Sequence, residues 1–288
     1  MRTNEKRARV LLPTRRTSVR AARLLNTATG LLATSVLLDS GLEHYRGSFK
    51  NRAMYTPPLA AALTLGVSAH GTADARPAAH RLRQCVFGGA ALTGIAGTAF
   101  HAYNVLKRPG RLAWQNLFYG APIAAPVAIL LAGLLGAAAE EVRHTRPGRI
   151  PRVFGVPAGR LLAAVSGIGL LGTAAEAGLL HFRGAFQNRA MLAPVTLPPL
   201  AAVALLGAAA RSSRRRMRVA RAMLRLTALL GLIGVGFHAR GVARNMGGWR
   251  NWSQNLLNGP PLPAPPSFTG VALAGLAALG LLRKDRHG

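Results

Sequence analysis

An all-α integral membrane protein, with eight transmembrane helices in two parallel-related four-helix repeats, is the fold class that three observations predict. The 288-residue chain is half hydrophobic, with a mean hydropathy of +0.24, too apolar for an ordinary soluble domain. Its apolar residues fall into runs of membrane-spanning length separated by short basic blocks. A seventeen-residue motif occurs twice.

About 20 apolar residues cross a bilayer as a helix, with roughly 17–25 allowed for tilt. In chain order the spans are predicted at 24–44, 54–69, 84–104, 122–139, 161–181, 191–210, 223–240 and 267–282. The second and eighth are short and depend on where their proline-rich entries begin. Pro57 and Pro58, like Pro265 and Pro266, suit a first helical turn, where the missing N–H is not needed. The N-terminus has a basic region followed by an apolar one, as a secretory signal does. No small-residue cleavage site stands out, however, and the apolar run has a counterpart in mid-chain.

The formal net charge is +29, from 37 Lys and Arg against 8 Asp and Glu. A nucleic-acid binder would gather such charge on one surface. Here it is dispersed between spans, which excludes that class and points to anionic lipid headgroups as the partner. Segments 1–23, 70–83, 140–160, 211–225 and 283–288 hold 26 of the 37 basic residues. Lys and Arg are retained on the cytoplasmic side, so both termini are expected there. An Ala- and Arg-rich, Lys-poor composition suits a bacterial inner membrane, and the single Cys85 excludes a disulfide scaffold.

The motif Gly41-Leu-Glu-His44-Tyr-Arg46-Gly47-Ser-Phe49-Lys-Asn51-Arg52-Ala-Met54-Tyr-Thr-Pro57 recurs 137 residues later. The second copy reads Gly178-Leu-Leu-His181-Phe-Arg183-Gly184-Ala-Phe186-Gln-Asn188-Arg189-Ala-Met191-Leu-Ala-Pro194. Eleven of seventeen positions are identical. The same offset pairs Phe100-His101-Ala102 with Phe237-His238-Ala239. After a two-residue insertion, Gln115-Asn116 and Gly120 match Gln254-Asn255 and Gly259. The chain therefore reads as two units, 1–145 and 146–288. An even number of spans in each makes them parallel about an axis along the membrane normal.

His44, His101, His181 and His238 form two matched pairs, each near the outer end of an odd-numbered span. An ionisable residue within a span is a functional hypothesis by default, and four imidazoles at one depth suggest ligation. On the same helical faces lie Gly94 and Gly97 below His101, and Gly231 and Gly234 below His238. Gly30 and Gly41 lie below His44, with Gly167 and Gly178 below His181. Such a stripe, Gly97 and Gly234 included, leaves either a flat slot for a porphyrin or a surface for close helix packing. Arg46, Arg52, Arg183 and Arg189 are outer cations suited to haem propionates or to lipid phosphate.

Asp39 and Glu176 are matched carboxylates. They are auxiliary candidates for a non-haem metal at the four His, or proton-handling or helix-contact groups. The pairs Gln115-Asn116 and Gln254-Asn255 are expected to cap the helices that follow them, with binding of a polar ligand as the alternative. Trp114, Trp249 and Trp252 suit interfacial anchoring. Three functional classes follow. The first is a membrane protein binding b-type haem (or a non-haem metal) for electron transfer with a redox partner or quinone. The second is a transporter or channel. The third is a structural or assembly subunit whose repeated loops bind lipid or a periplasmic partner.

Overall fold

The computed structural model describes residues 15–123, 125–211 and 213–282. The basic residues of 1–14 and 283–288, which count toward the cytoplasmic side, lie outside the described residues. The chain is nearly all helical. Its α-helices are α1 (Arg15–Arg46), α2 (Thr56–Ala73), α3 (Arg81–Leu106), α4 (Trp114–Tyr119), α5 (Val127–His144), α6 (Ala158–Arg183), α7 (Ala193–Ala210), α8 (Arg214–Arg244), α9 (Trp252–Asn258) and α10 (Pro266–Leu282). One small antiparallel hairpin pairs Arg152–Val153 with Val156–Pro157, between α5 and α6.

Five helical segments are long and apolar enough to cross a membrane: Arg16–Arg46, Arg81–Leu106, Ala158–Arg183, Arg189–Ala210 and Arg214–Arg244. The others of comparable length, α2 and α5 with 18 residues and α10 with 17, are shorter. At 1.5 Å per residue they reach about 26–27 Å, against a hydrocarbon core of about 30 Å. Helix starts follow local chemistry. Prolines occupy the first positions of α2 and α7, and Ser213 caps α8 by accepting from the Arg216 N–H at 3.2 Å.

In the first half α1 packs on α2 and α5, and α3 packs on the same two, closing a four-membered ring. In the second half α6, α7, α8 and α10 repeat that order of neighbours. The halves meet mainly where α1 lies against α10. There Ser35 donates to the Pro263 carbonyl at 2.5 Å, and a Cβ on Gly270 would come within 2.9 Å of the Ala28 carbonyl. The buried leucines of the core include Leu25 of α1, Leu135 of α5, Leu162 of α6, Leu205 of α7, Leu224 of α8 and Leu279 of α10.

Small residues set the helix spacing, as expected where lipid removes the hydrophobic drive between helices. A Cβ on Gly94 would lie 2.5 Å from the Leu130 backbone nitrogen, and one on Gly97 would lie 2.9 Å from Pro126. In the second half Gly231 meets Thr269 and Pro265, and Gly234 meets Pro265 at 2.8 Å. The expected slot along the His101 and His238 faces is therefore filled by α5 and α10. Gly97 and Gly234 let the helices approach rather than line an opening.

Candidate functional site

The repeated motif folds the same way twice, and most of its shared residues have a local task. After α1 the chain turns through Ser48 and Phe49, both at positive φ (57° and 44°), as Ala185 and Phe186 do after α6 (54° and 46°). The Phe49 N–H returns to the His44 carbonyl at 3.0 Å, and the Phe186 N–H to that of His181 at 3.0 Å. Each phenyl ring stands edge-on to its histidine, with centroids 6.2 and 6.1 Å apart. Asn51 and Asn188 each accept from the backbone N–H two residues on, at 2.9 Å, starting a single 3-10 turn. Gly47 and Gly184 lie beneath the Met54 and Met191 methyls, where a Cβ would come within 3.0 and 3.2 Å.

The four matched histidines share one hydrogen-bonding pattern. Nδ1 of His44 bonds the Met54 carbonyl (2.5 Å), and Nδ1 of His181 bonds that of Met191 (2.9 Å). Nδ1 of His101 bonds the Pro122 carbonyl (2.7 Å), and Nδ1 of His238 bonds that of Pro261 (2.6 Å). A carbonyl only accepts, so each neutral ring carries its proton on Nδ1 and leaves Nε2 as a lone pair. None of the four Nε2 atoms has a hydrogen-bond partner among the described residues. His181 and His238 lie within electrostatic reach of each other. The helices that carry each pair sit diagonally across one ring, α1 from α3 and α6 from α8.

The arginines divide. Arg46 donates to Glu43 at 2.7 Å, and the Arg183 guanidinium stacks 4.7 Å from the Phe118 ring centre. Arg52 and Arg189 are exposed and make no hydrogen bond or ion pair among the described residues. Asp39 and Glu176 come close enough for their charges to interact, on α1 and α6 of opposite halves. Among the described residues neither makes a hydrogen bond, and neither joins the histidines. No three His, Cys, Asp or Glu side chains converge as a metal site among the described residues.

The short outer helices cross between halves. Trp114 and Phe118 of α4 pack on Phe182, beside Arg183 of the second motif. Leu257 of α9, the counterpart of Phe118, faces Tyr45 and Arg46 of the first motif across an open cleft of about 460 Å³. Trp114 is thus a packing residue between halves. The asparagines act backwards rather than forwards. Asn116 Nδ2 donates to the Pro109 and Arg111 carbonyls (2.8 and 3.0 Å), and Asn255 Nδ2 to those of Met246 and Gly248 (3.2 and 2.8 Å). Each closes the loop that precedes it instead of capping the next helix.

Sequence reasoning missed a buried charge cluster at the far end of the first half. Arg83 donates to Glu140 (2.8 Å) and Asp74 (2.9 Å), and Arg83, Glu140 and Arg143 are all fully buried. Arg143 donates to the Gly71 and Asp74 carbonyls, each at 2.6 Å, and the His80 N–H donates to Glu140 at 2.9 Å. Hydrogen bonds from Arg76, with Arg83 adding to them, hold the Asp74 carboxyl below the usual carboxylate range although burial opposes it. The available signal was Glu140 and Arg143 three residues apart at the end of a long apolar run. Counted as loop cations, Arg83 and Arg143 are instead neutralised inside the protein.

The chain matches no family model, no curated protein and no solved structure.

Proposed function

We propose that the chain is an eight-span membrane protein of two parallel repeats, 1–145 and 146–288, with both termini cytoplasmic, and that each repeat binds one b-type haem for electron transfer. In this reading His44 with His101, and His181 with His238, would hold the iron. Its main support is the shared Nδ1–carbonyl bond. Ligating imidazoles are held in this way, with the second ring nitrogen donating to a carbonyl and the first left bare for iron. The unpaired Arg52 and Arg189 are the cations left for propionates. The haem supplies the one-electron chemistry. The chain supplies ligand tautomer and ligand position.

A second reading has its own observation. The same bonds tie each motif loop to its helix, as a structural or assembly subunit requires.

Purification of the full chain from haem-replete cells separates the two. Expected is a red protein with a Soret band and two haems per chain. Each of His44→Asn and His101→Asn should lose one haem, because the short amide can replace the Nδ1 donor but not the iron ligand. A folded, colourless wild-type protein overturns the haem reading and leaves the structural one.

A further inference from the structure

The halves handle charge differently at the end opposite the histidines. In the first half the C-cap of α2 is Asp74, paired with Arg76 and Arg83. The matching C-cap of α7, 137 residues on, is Arg211. The positions matching Arg83, Glu140 and Arg143 are Ala220, Leu279 and Leu282, all buried. The first half thus neutralises Arg83 and Arg143 internally, whereas the second half has apolar residues at those positions and exposes its loop cations. No acidic residue occurs between Glu176 and Asp285, and among the described residues no ion pair holds the cations at this end of the second half.

These cations border a groove of about 530 Å³ between α7 and α8. Its rim carries Arg211, Arg215 and Arg216, and its wall includes Val203, Gly207 and Val219. Arg211 and Arg215 make no side-chain hydrogen bond or ion pair among the described residues, and Arg216 reaches only the Arg211 carbonyl at 3.3 Å. From Arg211 to Val203 the groove runs about 12 Å down the helix axis. Val203 and Val219 are 66% and 47% exposed.

We propose that this groove is a discrete site for an anionic phospholipid. Its phosphodiester is held by Arg211, Arg215 and Arg216, and one acyl chain lies along Val203, Gly207 and Val219. Guanidinium forks match phosphate oxygens in pairs, and basic pockets between spans on the cytoplasmic side are where acidic headgroups settle. The site rests on the membrane-spanning reading and is independent of haem.

The test uses the full chain in phosphatidylcholine nanodiscs titrated with phosphatidylglycerol, with bound lipid read by native mass spectrometry. Each arginine near such a charge is worth about fivefold in affinity. The variant Arg211→Gln/Arg215→Gln/Arg216→Gln should therefore retain phosphatidylglycerol roughly a hundredfold less well. Lysine at the same three positions should retain most of the binding and shows that a loss does not come from misfolding. The control Arg146→Gln/Arg149→Gln/Arg152→Gln, with the same change in charge, should bind like wild type. Equal loss in that control overturns a discrete site. Displacement of the lipid by millimolar inorganic phosphate overturns the lipid and leaves a soluble-anion site.

Discussion

Most shared residues of the motif can be assigned from their contacts. Gly47, Phe49, Asn51 and Met54, with their partners in the second copy, build the turn and seat the imidazole, which explains why they persist where neighbouring apolar residues vary. The glycines along the His101 and His238 faces have a separate task, which a pair of substitutions tests. Gly94→Ala should cost about 1–3 kcal/mol, because the new methyl meets Leu130 backbone that cannot move aside. Gly88→Ala, six residues earlier on α3 with nothing within 4 Å, should be neutral or gain up to about 1 kcal/mol from helix propensity. Thermal unfolding in detergent reads both. A neutral Gly94→Ala would mean that α3 and α5 are further apart than described.

Among elements, the tie of α3 and the α2–α3 connection to α5 through Arg83, Asp74, Glu140 and Arg143 has the greatest energetic leverage. Breaking a buried pair by removing one partner costs about 3–5 kcal/mol, whereas replacing the charged group by packed apolar residues is often neutral. Glu140→Gln alone should fall near that range. The variant Arg83→Ala/Glu140→Leu/Arg143→Leu copies the second half and should recover most of the loss. If it is the less stable of the two, the charges contribute beyond their mutual compensation.

The same connection has a pH signature. Asp74 is held below its ordinary value in the fold, so its stabilisation is complete above the usual carboxylate range. It is lost as pH falls through that range toward the folded value. Asp74→Asn should destabilise the protein at neutral pH and flatten the acid limb of its unfolding curve.

For the whole molecule, the decisive quantity is which end of the bundle faces which compartment. On a Cys85→Ser background, required because Cys85 is exposed, Lys50→Cys and Arg111→Cys should react with an impermeant maleimide on intact cells. Arg149→Cys should react only after permeabilisation. Labelling of Lys50→Cys and Arg149→Cys from the same side would contradict the eight-span topology. The cross-over of α4 onto the second motif joins the halves at the histidine-bearing end of the bundle. The cleft between Leu257 and Tyr45 shows that the exchange is closed on one side only.

The sequence by itself determined where the long helices run, the doubled motif, and the four histidines matched between copies. All of these depend on local composition or on spacing along the chain, and apolar runs and repeats are properties of neighbours in sequence. Tertiary structure alone decided that Arg83 and Arg143 are inside, that the glycine stripes below His101 and His238 are occupied, that Asn116 and Asn255 close the loops behind them, and that α4 packs on the motif of the other half. A charged or small residue looks the same in a sequence whether it faces lipid, water or a neighbouring backbone. Only the partner brought to it across the fold fixes its energy, and with it its role.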